Sequence, residues 1–164
     1  MPKPVKKEEF TTPLKLDQKD LAILRLLQQN ARMTVKEISD KVHLSTTPVF
    51  ERIRWMEETG VIRHYAALVD HAKVNKELMV ICYVALKQHS KAAGTKFIRA
   101  INEMDEVTEC FSISGEFDFI LKVITENMNT YYDFHVNRLG EIENIGNVQS
   151  VFVMGVVKQT QVKV

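Results

Sequence analysis

Apolar residues recur every three or four positions in three short stretches near the start of the chain, and this spacing predicts three amphipathic helices. Each helix begins with the same arrangement, a polar residue that can cap the first turn with apolar residues on both sides of it. The capping residues are Asp17, Thr34 and Ser45. Gly60 ends the third helix, and the run over residues 61–69 predicts a following strand. Three helices and then a strand are typical of a winged helix-turn-helix, which places its third helix in the major groove of DNA.

The apolar pattern changes after the polar residues 70–77. Four predicted strands and two predicted helices follow, in the order strand, helix, strand, strand, helix, strand, which is the split βαβ order of ferredoxin-like domains. Gly115 and Glu116 predict a two-residue hairpin turn between the second and third strands. Two helices would cover one sheet face, so we expect the other apolar face to pack on the sheet of a second copy. The predicted strands are 78–87, 107–114, 117–125 and 148–158, and the predicted helices are 91–104 and 127–139.

The sequence therefore predicts an α+β protein, a winged helix-turn-helix followed by a ferredoxin-like βαββαβ domain. A tail of Pro, Lys, Glu and Thr precedes the first helix and is either a plain disordered segment or a basic arm that contacts DNA phosphates or the minor groove. The predicted divisions are a flexible basic arm (1–15), a DNA-binding domain (16–69), a linker (70–77) and an effector-binding and oligomerisation domain (78–164).

The third helix carries the candidate contacts to DNA. At about 100° per residue, its polar positions lie opposite its apolar positions, and an arginine there suits guanine because its two donors match two acceptors on that base. Arg52 falls near the edge of the core, where it either reaches a phosphate or braces the helix. The ordinary alternative for these charges is a solvated face with an i to i+4 ion pair. The predicted DNA-binding residues are Ser45, Thr46, Thr47, Pro48, Glu51, Arg52 and Arg54.

Charge and composition limit the ways in which this chain can bind DNA. Its 22 basic and 21 acidic side chains give a net charge of +1, so a strongly basic face is absent. Its affinity for DNA must then come from a few basic residues at the right positions, from the basic arm, and from the several DNA-binding domains that an oligomer carries. No apolar run reaches the ~18 residues that span a bilayer. The basic start of the chain lacks the apolar core of a signal peptide, which predicts a cytoplasmic, nucleoid-associated protein without a membrane partner.

No arrangement of residues typical of catalysis or metal binding is present in the sequence. It has no phosphate-binding loop and no nucleophile elbow, and its five histidines lack metal-type partners three or four positions away. Cys82 and Cys110 lie in apolar, strand-like segments and are expected to be reduced core thiols. The sequence thus predicts a protein that is not an enzyme and needs no metal or cofactor.

Four stretches, in this order and spacing, resemble the leucine-responsive and asparagine-responsive (Lrp/AsnC) family of transcription regulators. They are residues 16–24, 44–54, 60–65 and 114–119. The resemblance implies a C-terminal domain that binds a small amino acid between subunits near the hairpin, and homodimers that assemble into octamers. A hairpin glycine admits a ligand close to the backbone, and a carboxylate pairs with an α-amino group. The effector-binding residues implied in this way are Gly115, Phe117, Asp118, Val148, Ser150 and Phe152.

Three features depart from the family pattern. Trp55 occupies a position that is often basic, which bears on operator preference or phosphate contact. Many members have Thr-x-Thr where this chain has Val148-Gln149-Ser150, which leaves the effector open, with leucine and methionine expected first. His43 stands where the family often has glycine, and histidine tolerates a positive φ better than most residues.

The predicted function is that of a sequence-specific DNA-binding transcription regulator whose DNA binding or assembly responds to a small amino acid, in control of amino-acid metabolism. Two alternatives stay open. One is an architectural DNA binder without an effector. The other is a tetrapyrrole decarboxylase of the same two-part architecture, which would need basic and histidine side chains gathered in its C-terminal cleft.

Overall fold

The computed structural model describes residues 14–160 and 162–164, so nearly all of the predicted arm, residues 1–13, lies outside the described residues. The described chain divides into two compact units. The first runs to Ala67 and takes in the last residues from Gln159 onward, and the second is Leu68–Lys158. The expected division assigned residues 159–164 to the second domain. They group with the first unit because side chains of its first helix donate to their carbonyl oxygens, Arg25 to Val164 at 2.7 Å and Gln28 to Val162 at 2.5 Å.

Three helices form the first unit: α1 (Gln18–Gln29), α2 (Val35–Val42) and α3 (Thr46–Glu58). Two of the predicted caps form reciprocal hydrogen bonds, because the Asp17 and Thr34 side chains accept from the first turn while Asp20 and Glu37 accept from the cap backbone. Ser45 precedes α3 but its side chain makes no capping hydrogen bond, so that part of the prediction is wrong. Hydrophobic packing therefore holds the start of α3.

The core of the first unit is made by the apolar faces of its three helices. Ile23 of α1, Ile38 of α2 and both Val49 and Met56 of α3 are fully buried. His43 ends α2 in the left-handed conformation with φ 55°, as its position in the turn predicts. Lys19 of α1 also donates to a carbonyl at the end of α2. Each helix thus contacts the other two, and α3 is held with its polar face outward.

The strand predicted over residues 61–69 is absent. Val61 and Ile62 pack against the core of the first unit, and the Ile62 N–H donates to Met56 at the end of α3. A strand needs a partner for its backbone hydrogen bonds, and the described part of this unit offers no second extended segment that pairs with it. The predicted linker also has structure, a short 3-10 turn over His71–Val74 that Asp70 caps.

The second unit is an antiparallel sheet with helices. Its strands follow the order β2-β3-β1-β4, which agrees with the predicted ferredoxin-like arrangement. The second of its helices changes from α to π geometry in its last six residues. The elements are β1 (Leu78–Leu86), α4 (Lys91–Ile101), β2 (Val107–Ser112), β3 (Phe119–Thr125), α5 (Met128–Asp133) with its π-helical continuation (Phe134–Leu139), and β4 (Ile145–Phe152).

Two strand boundaries differ from the prediction. The β2–β3 connection is a six-residue loop, 113–118, instead of a two-residue turn. The Ile113 N–H still donates to the Asp118 carbonyl across the hairpin, whereas the Asp118 N–H donates to Val84 of β1. The last strand was expected over 148–158 but occupies Ile145–Phe152. Its partner β1 begins at Leu78, which the register places opposite Met154, so residues 155–158 lie beyond the end of β1.

The two faces of the sheet differ in their exposure. One face carries Val80, Cys82 and Val84 of β1 into a core with Phe97 of α4 and Phe134, and all five are buried. Cys82 is a free buried thiol as expected, whereas Cys110 is also free but exposed, because β2 is the edge strand. Residues that remain partly or largely exposed on the opposite face are Ile81, Tyr83, Phe111, Ile120, Ile124 and Val151.

No helix in the part of the chain that the structure describes is long and apolar enough to cross a membrane.

Candidate recognition helix and effector loop

The packing of α3 decides which of its side chains face outward. Among the predicted DNA-binding residues, Thr46, Thr47, Glu51 and Arg54 of the helix are exposed, and Ser45 is exposed just before it. Pro48 is half-buried on the flank. Thr47, Glu51 and Arg54 follow one another by four and three residues, so they form a continuous stripe on the helix, and Thr46 lies beside its start. The structure therefore brings most of the predicted contacts onto one surface.

Arg52 is the exception, because its guanidinium is occupied inside the unit. One of its terminal nitrogens lies 2.7 Å from Oδ2 of Asp17 and 2.6 Å from Oδ1 of Asp20. These hydrogen bonds, that of Asp20 first, raise the pKa of Arg52 above its ordinary value. The structure thus shows Arg52 as a brace between α3 and the start of α1, while 32% of its side chain stays exposed and its contact with a phosphate stays a prediction.

Arg54 has a different environment. Its Nε lies 2.8 Å from Oε1 of Glu58, one turn further along α3, and both side chains are more than half exposed. An exposed pair of this kind contributes little to stability, because water screens the two charges. Arg54 can therefore exchange Glu58 for another acceptor at small cost, so its exposed guanidinium is the cation of the stripe that can turn to a base.

Phe50 lies in the same stripe, with 55% of its surface exposed, and the sequence reasoning did not include it among the DNA-binding candidates. Its spacing gave the only available signal, since it stands three residues after Thr47 and four before Arg54. Its apolar character set it apart from the polar positions to which the sequence assigns the DNA contacts.

In the second unit, Asp118 ends the β2–β3 loop with its carboxylate held in place. Oδ2 accepts from the Leu86 N–H at 2.7 Å, and Oδ1 lies 2.9 Å from Nδ1 of His89. The Leu86 hydrogen bond, and then the contact with His89, hold the pKa of the Asp118 carboxyl below its usual value. The carboxylate is thus ionised and held in one orientation. Its Oδ1 contacts the His89 imidazole, whose side chain is 70% exposed.

The other two candidates of this loop lie beside Asp118. Gly115 has φ 133°, a conformation that side chains rarely adopt, and no atom lies within 4 Å of the position a Cβ would take. The ring of Phe117 packs on Tyr83 of β1 at 5.5 Å between centroids, on the more exposed face of the sheet. The loop therefore combines an open backbone position, a carboxylate and an aromatic ring.

The candidates on β4 lie on the helix-covered side of the sheet. The Ser150 hydroxyl is 2.5 Å from the hydroxyl of Tyr131, which in turn lies 3.3 Å from the Cys82 thiol. Burial raises the pKa of both Tyr131 and Cys82. Phe152 meets the Tyr131 ring edge-on at 5.5 Å. Ser150 and Phe152 are thus joined to a buried polar chain that the sequence did not reveal.

Within one chain, the loop candidates and the β4 candidates do not form a single site. β1 separates them, because β3 and β4 pair with its opposite edges, so their backbones are ~10 Å apart. Val148 comes level with the loop, since it and Phe119 both pair with Val84. Ser150 lies two residues further along β4, ~7 Å away, and Phe152 four residues, ~14 Å away.

Other chemistry is sparse in the residues that the structure describes. They contain no group of three or more histidine, cysteine or carboxylate side chains that could hold a metal ion. A cavity of about 420 Å³ lies beside the start of α4, and its lining includes Lys87, Lys96 and Glu143. None of the predicted site residues lines it.

Two protein-family models match the chain. Residues 79–162 match the Lrp/AsnC ligand binding domain, and residues 16–63 match a winged helix-turn-helix DNA-binding domain. The chain is 35% identical over 145 residues to a leucine-responsive regulatory protein of Rhizobium meliloti, covering 88% of this chain and 93% of the relative. It is 34% identical over 160 residues to one of Haemophilus influenzae, covering 98% and 96%. Its fold resembles the crystal structure of the transcriptional regulator NMB0573 of Neisseria meningitidis in complex with L-Met, with a TM-score of 0.84, 34% identity and coverage of 89% and 94%.

Proposed function

This chain belongs to the Lrp/AsnC family of DNA-binding transcription regulators, and from that premise we propose that a small apolar amino acid, bound at the Asp118 loop, alters its DNA binding or its assembly. The observation that carries the proposal is the fixed, ionised Asp118 carboxylate. Oδ2 of Asp118 accepts a hydrogen bond from the Leu86 N–H, whereas Oδ1 contacts only the exposed His89. The α-ammonium of an amino acid can take the place of His89 without disturbing β1.

In the DNA-binding unit, we assign the outward stripe of α3 to the bases. Thr46, Thr47, Glu51 and Arg54 face base edges, and Ser45 with Pro48 lie at the start of the helix, near the sugar-phosphate backbone. Arg54 suits guanine, and Glu51 can accept from the amino group of cytosine. The carboxylates of Glu51 and Glu58 beside the exposed Arg54 favour recognition of particular bases over general attraction to phosphate.

The effector pocket is proposed to lie between two copies of the chain. Gly115, Phe117 and Asp118 lie ~10 Å across the sheet from the strand that carries Val148, Ser150 and Phe152. A single small amino acid does not contact both sets within one chain. The loop of one copy placed against β4 of another would surround the ligand, with Val148 and Phe152 suited to an apolar side chain. Methionine is the first candidate, since the similar regulator from Neisseria was solved with L-Met, and leucine is the second.

The proposed assembly of the chain begins with a dimer that forms through the sheet. The partly exposed sheet face that carries Ile81, Tyr83 and Ile120 is proposed to pack on its equivalent in a second copy, giving a homodimer with an isologous interface. Contacts between loops and β4 strands would then join dimers into an octamer. Mass photometry of the full chain with and without methionine measures both steps.

The test of the effector site is a thermal-shift panel of single amino acids on the full chain, followed by two matched variants. Methionine or leucine should raise the unfolding temperature, because a ligand that binds only the folded state stabilises it. Asp118→Asn should remove this rise, since the amide cannot pair with an ammonium as the carboxylate does. Glu116→Gln removes a carboxylate from the same loop and should retain the rise. An Asp118→Asn variant that responds like the parent chain would exclude Asp118 from the site.

A second candidate is an architectural DNA binder without an effector. The observation that favours it is that both oxygens of Asp118 already have partners within the chain. In that case His89 and Asp118 only close the β2–β3 loop. DNA affinity and oligomer size that are unchanged by every amino acid in the panel would support this candidate.

A further inference from the structure

Phe50 differs from the other large apolar residues of α3. Val49 and Met56 are fully buried, and Ile53 and Trp55 pack against the same core. Phe50 alone among the apolar residues of this helix has more than half of its surface exposed, and this part of the chain lies entirely within the described residues. It adds little to the packing of the unit, so its ring is free for a contact outside it.

The position of Phe50 distinguishes it from an ordinary exposed apolar residue. Scattered apolar side chains on a surface are normal and need no explanation. Phe50, however, is the fifth residue of α3, in the N-terminal half, which is the part of a helix-turn-helix recognition helix that contacts base edges. With Thr47 and Arg54 it forms an i, i+3, i+7 row of exposed side chains.

We propose that the Phe50 ring packs on the C5-methyl group of a thymine in the major groove and so makes the protein require thymine at one operator position. Of the four bases, thymine alone presents a methyl group there, and apolar side chains recognise it by direct contact. The inference rests on the proposed role of α3 as the recognition helix. It adds an apolar contact to a surface that otherwise offers hydroxyl groups, carboxylates and one arginine.

The helix geometry also predicts where this thymine lies. Phe50 and Arg54 are four residues apart, which is ~6 Å along the axis of α3. Base pairs are stacked ~3.4 Å apart. The thymine that contacts Phe50 is therefore expected within about two base pairs of the guanine that Arg54 contacts.

The test compares the loss of the ring with the loss of the methyl group. Duplexes are first selected from a random-sequence pool with the full chain, and the best duplex is remade with deoxyuridine in place of each thymine in turn. Deoxyuridine keeps the base pair and removes only the methyl group. One replacement should weaken binding by the parent chain about three- to fourfold, the effect of burying one methyl group. Phe50→Ala should bind the thymine and deoxyuridine duplexes equally well.

Two further variants complete the design. Phe50→Leu keeps an apolar side chain, so it should retain part of the discrimination and also serves if Phe50→Ala does not fold. Leu68→Ala removes an apolar side chain that is 84% exposed and lies outside α3, so it should discriminate like the parent chain. Circular dichroism checks that each variant is folded.

Three outcomes would overturn the inference. The first is that no deoxyuridine replacement weakens the parent chain. The second is that Phe50→Ala discriminates as well as the parent does. The third is that the sensitive thymine lies far from the guanine whose recognition is lost in Arg54→Ala. If the parent chain selects no sequence at all, the recognition role of α3 fails together with this inference, whereas each of the other three outcomes leaves that role intact.

Discussion

The guanidinium of Arg52 in α3 lies 2.6 Å from the carboxylate of Asp20 in α1, and the Asp20 side chain is only 7% exposed. The other oxygen of Asp20 accepts from the Asp17 N–H and completes the cap of α1. One buried carboxylate thus closes the start of the first helix and holds the third. This ion pair ties the direction of the candidate recognition helix to the capping of α1.

We predict that Arg52→Ala lowers the free energy of unfolding of the first unit by about 2–3 kcal/mol, because it leaves the buried Asp20 carboxylate without its cation. Arg54→Ala is the matched control and should leave the free energy of unfolding nearly unchanged, since its pair with Glu58 is exposed. Urea unfolding followed by the fluorescence of Trp55, the one tryptophan of the chain, reports on this unit. Equal costs for the two variants would show that the Arg52 brace contributes nothing specific.

Arg54, which matters little for stability, should matter most for DNA binding. Arg54→Ala is expected to weaken binding to a selected duplex by about 1–3 kcal/mol and to relax the preference for guanine at one position. Arg54→Lys keeps the charge and loses the two-donor geometry, so it should retain binding to a scrambled duplex while losing discrimination. Titrations with both duplexes measure this. An equal loss on both duplexes with Arg54→Ala would instead indicate a phosphate contact.

Two glycines of the second unit should respond oppositely to alanine. At Gly140, after the π-helical segment, a Cβ would lie 2.8 Å from the carbonyl oxygen of Val136, so Gly140→Ala should destabilise by about 1–3 kcal/mol. Gly94 lies inside α4 with nothing within 4 Å of its Cβ position, so Gly94→Ala should stabilise by about 0.5–1 kcal/mol. Thermal unfolding of both variants measures the difference. A neutral Gly140→Ala would mean that the end of the helix relaxes readily.

Acid should destabilise the protein through three carboxyl groups. Backbone N–H groups of Asp20, Thr34 and Leu86 are the main causes that lower the pKa of Asp17, Glu37 and Asp118, respectively. A carboxyl whose pKa is lower in the folded state stabilises that state fully above its ordinary pKa, 3.8 for Asp and 4.5 for Glu. This stabilisation is lost as the pH falls through the folded pKa.

The unfolding temperature, measured at successive pH values, should therefore lose little through these groups from pH 7 to about pH 5 and should fall steeply below about pH 4.5. Asp118→Asn removes one of the three groups, so the gap between it and the parent chain should narrow as the pH falls below about 4. A gap that stays constant over this range would contradict the assignment of a lowered pKa to Asp118.

Local sequence patterns were sufficient for most of the secondary structure. The caps at Asp17 and Thr34 act within four residues, so these helix starts follow from the chain alone, and apolar runs predict β1 and β3. Which face of these strands is buried is shown by the structure. The predictions that failed depended on partners. In the described part of the chain the segment 61–69 has no strand to pair with, and residues 155–158 of the predicted last strand lie beyond the start of β1.

The sequence by itself determined the two-part architecture and the family, because periodicity, capping and short motifs are local properties of the chain. Only the tertiary structure decided what individual side chains do. Arg52 contacts Asp20, 32 residues away, and Asp118 contacts Leu86, also 32 residues away, so neither role can be read from neighbouring residues. Phe50 has the apolar character of a core residue, and only the packing of α3 against the other two helices leaves its ring exposed.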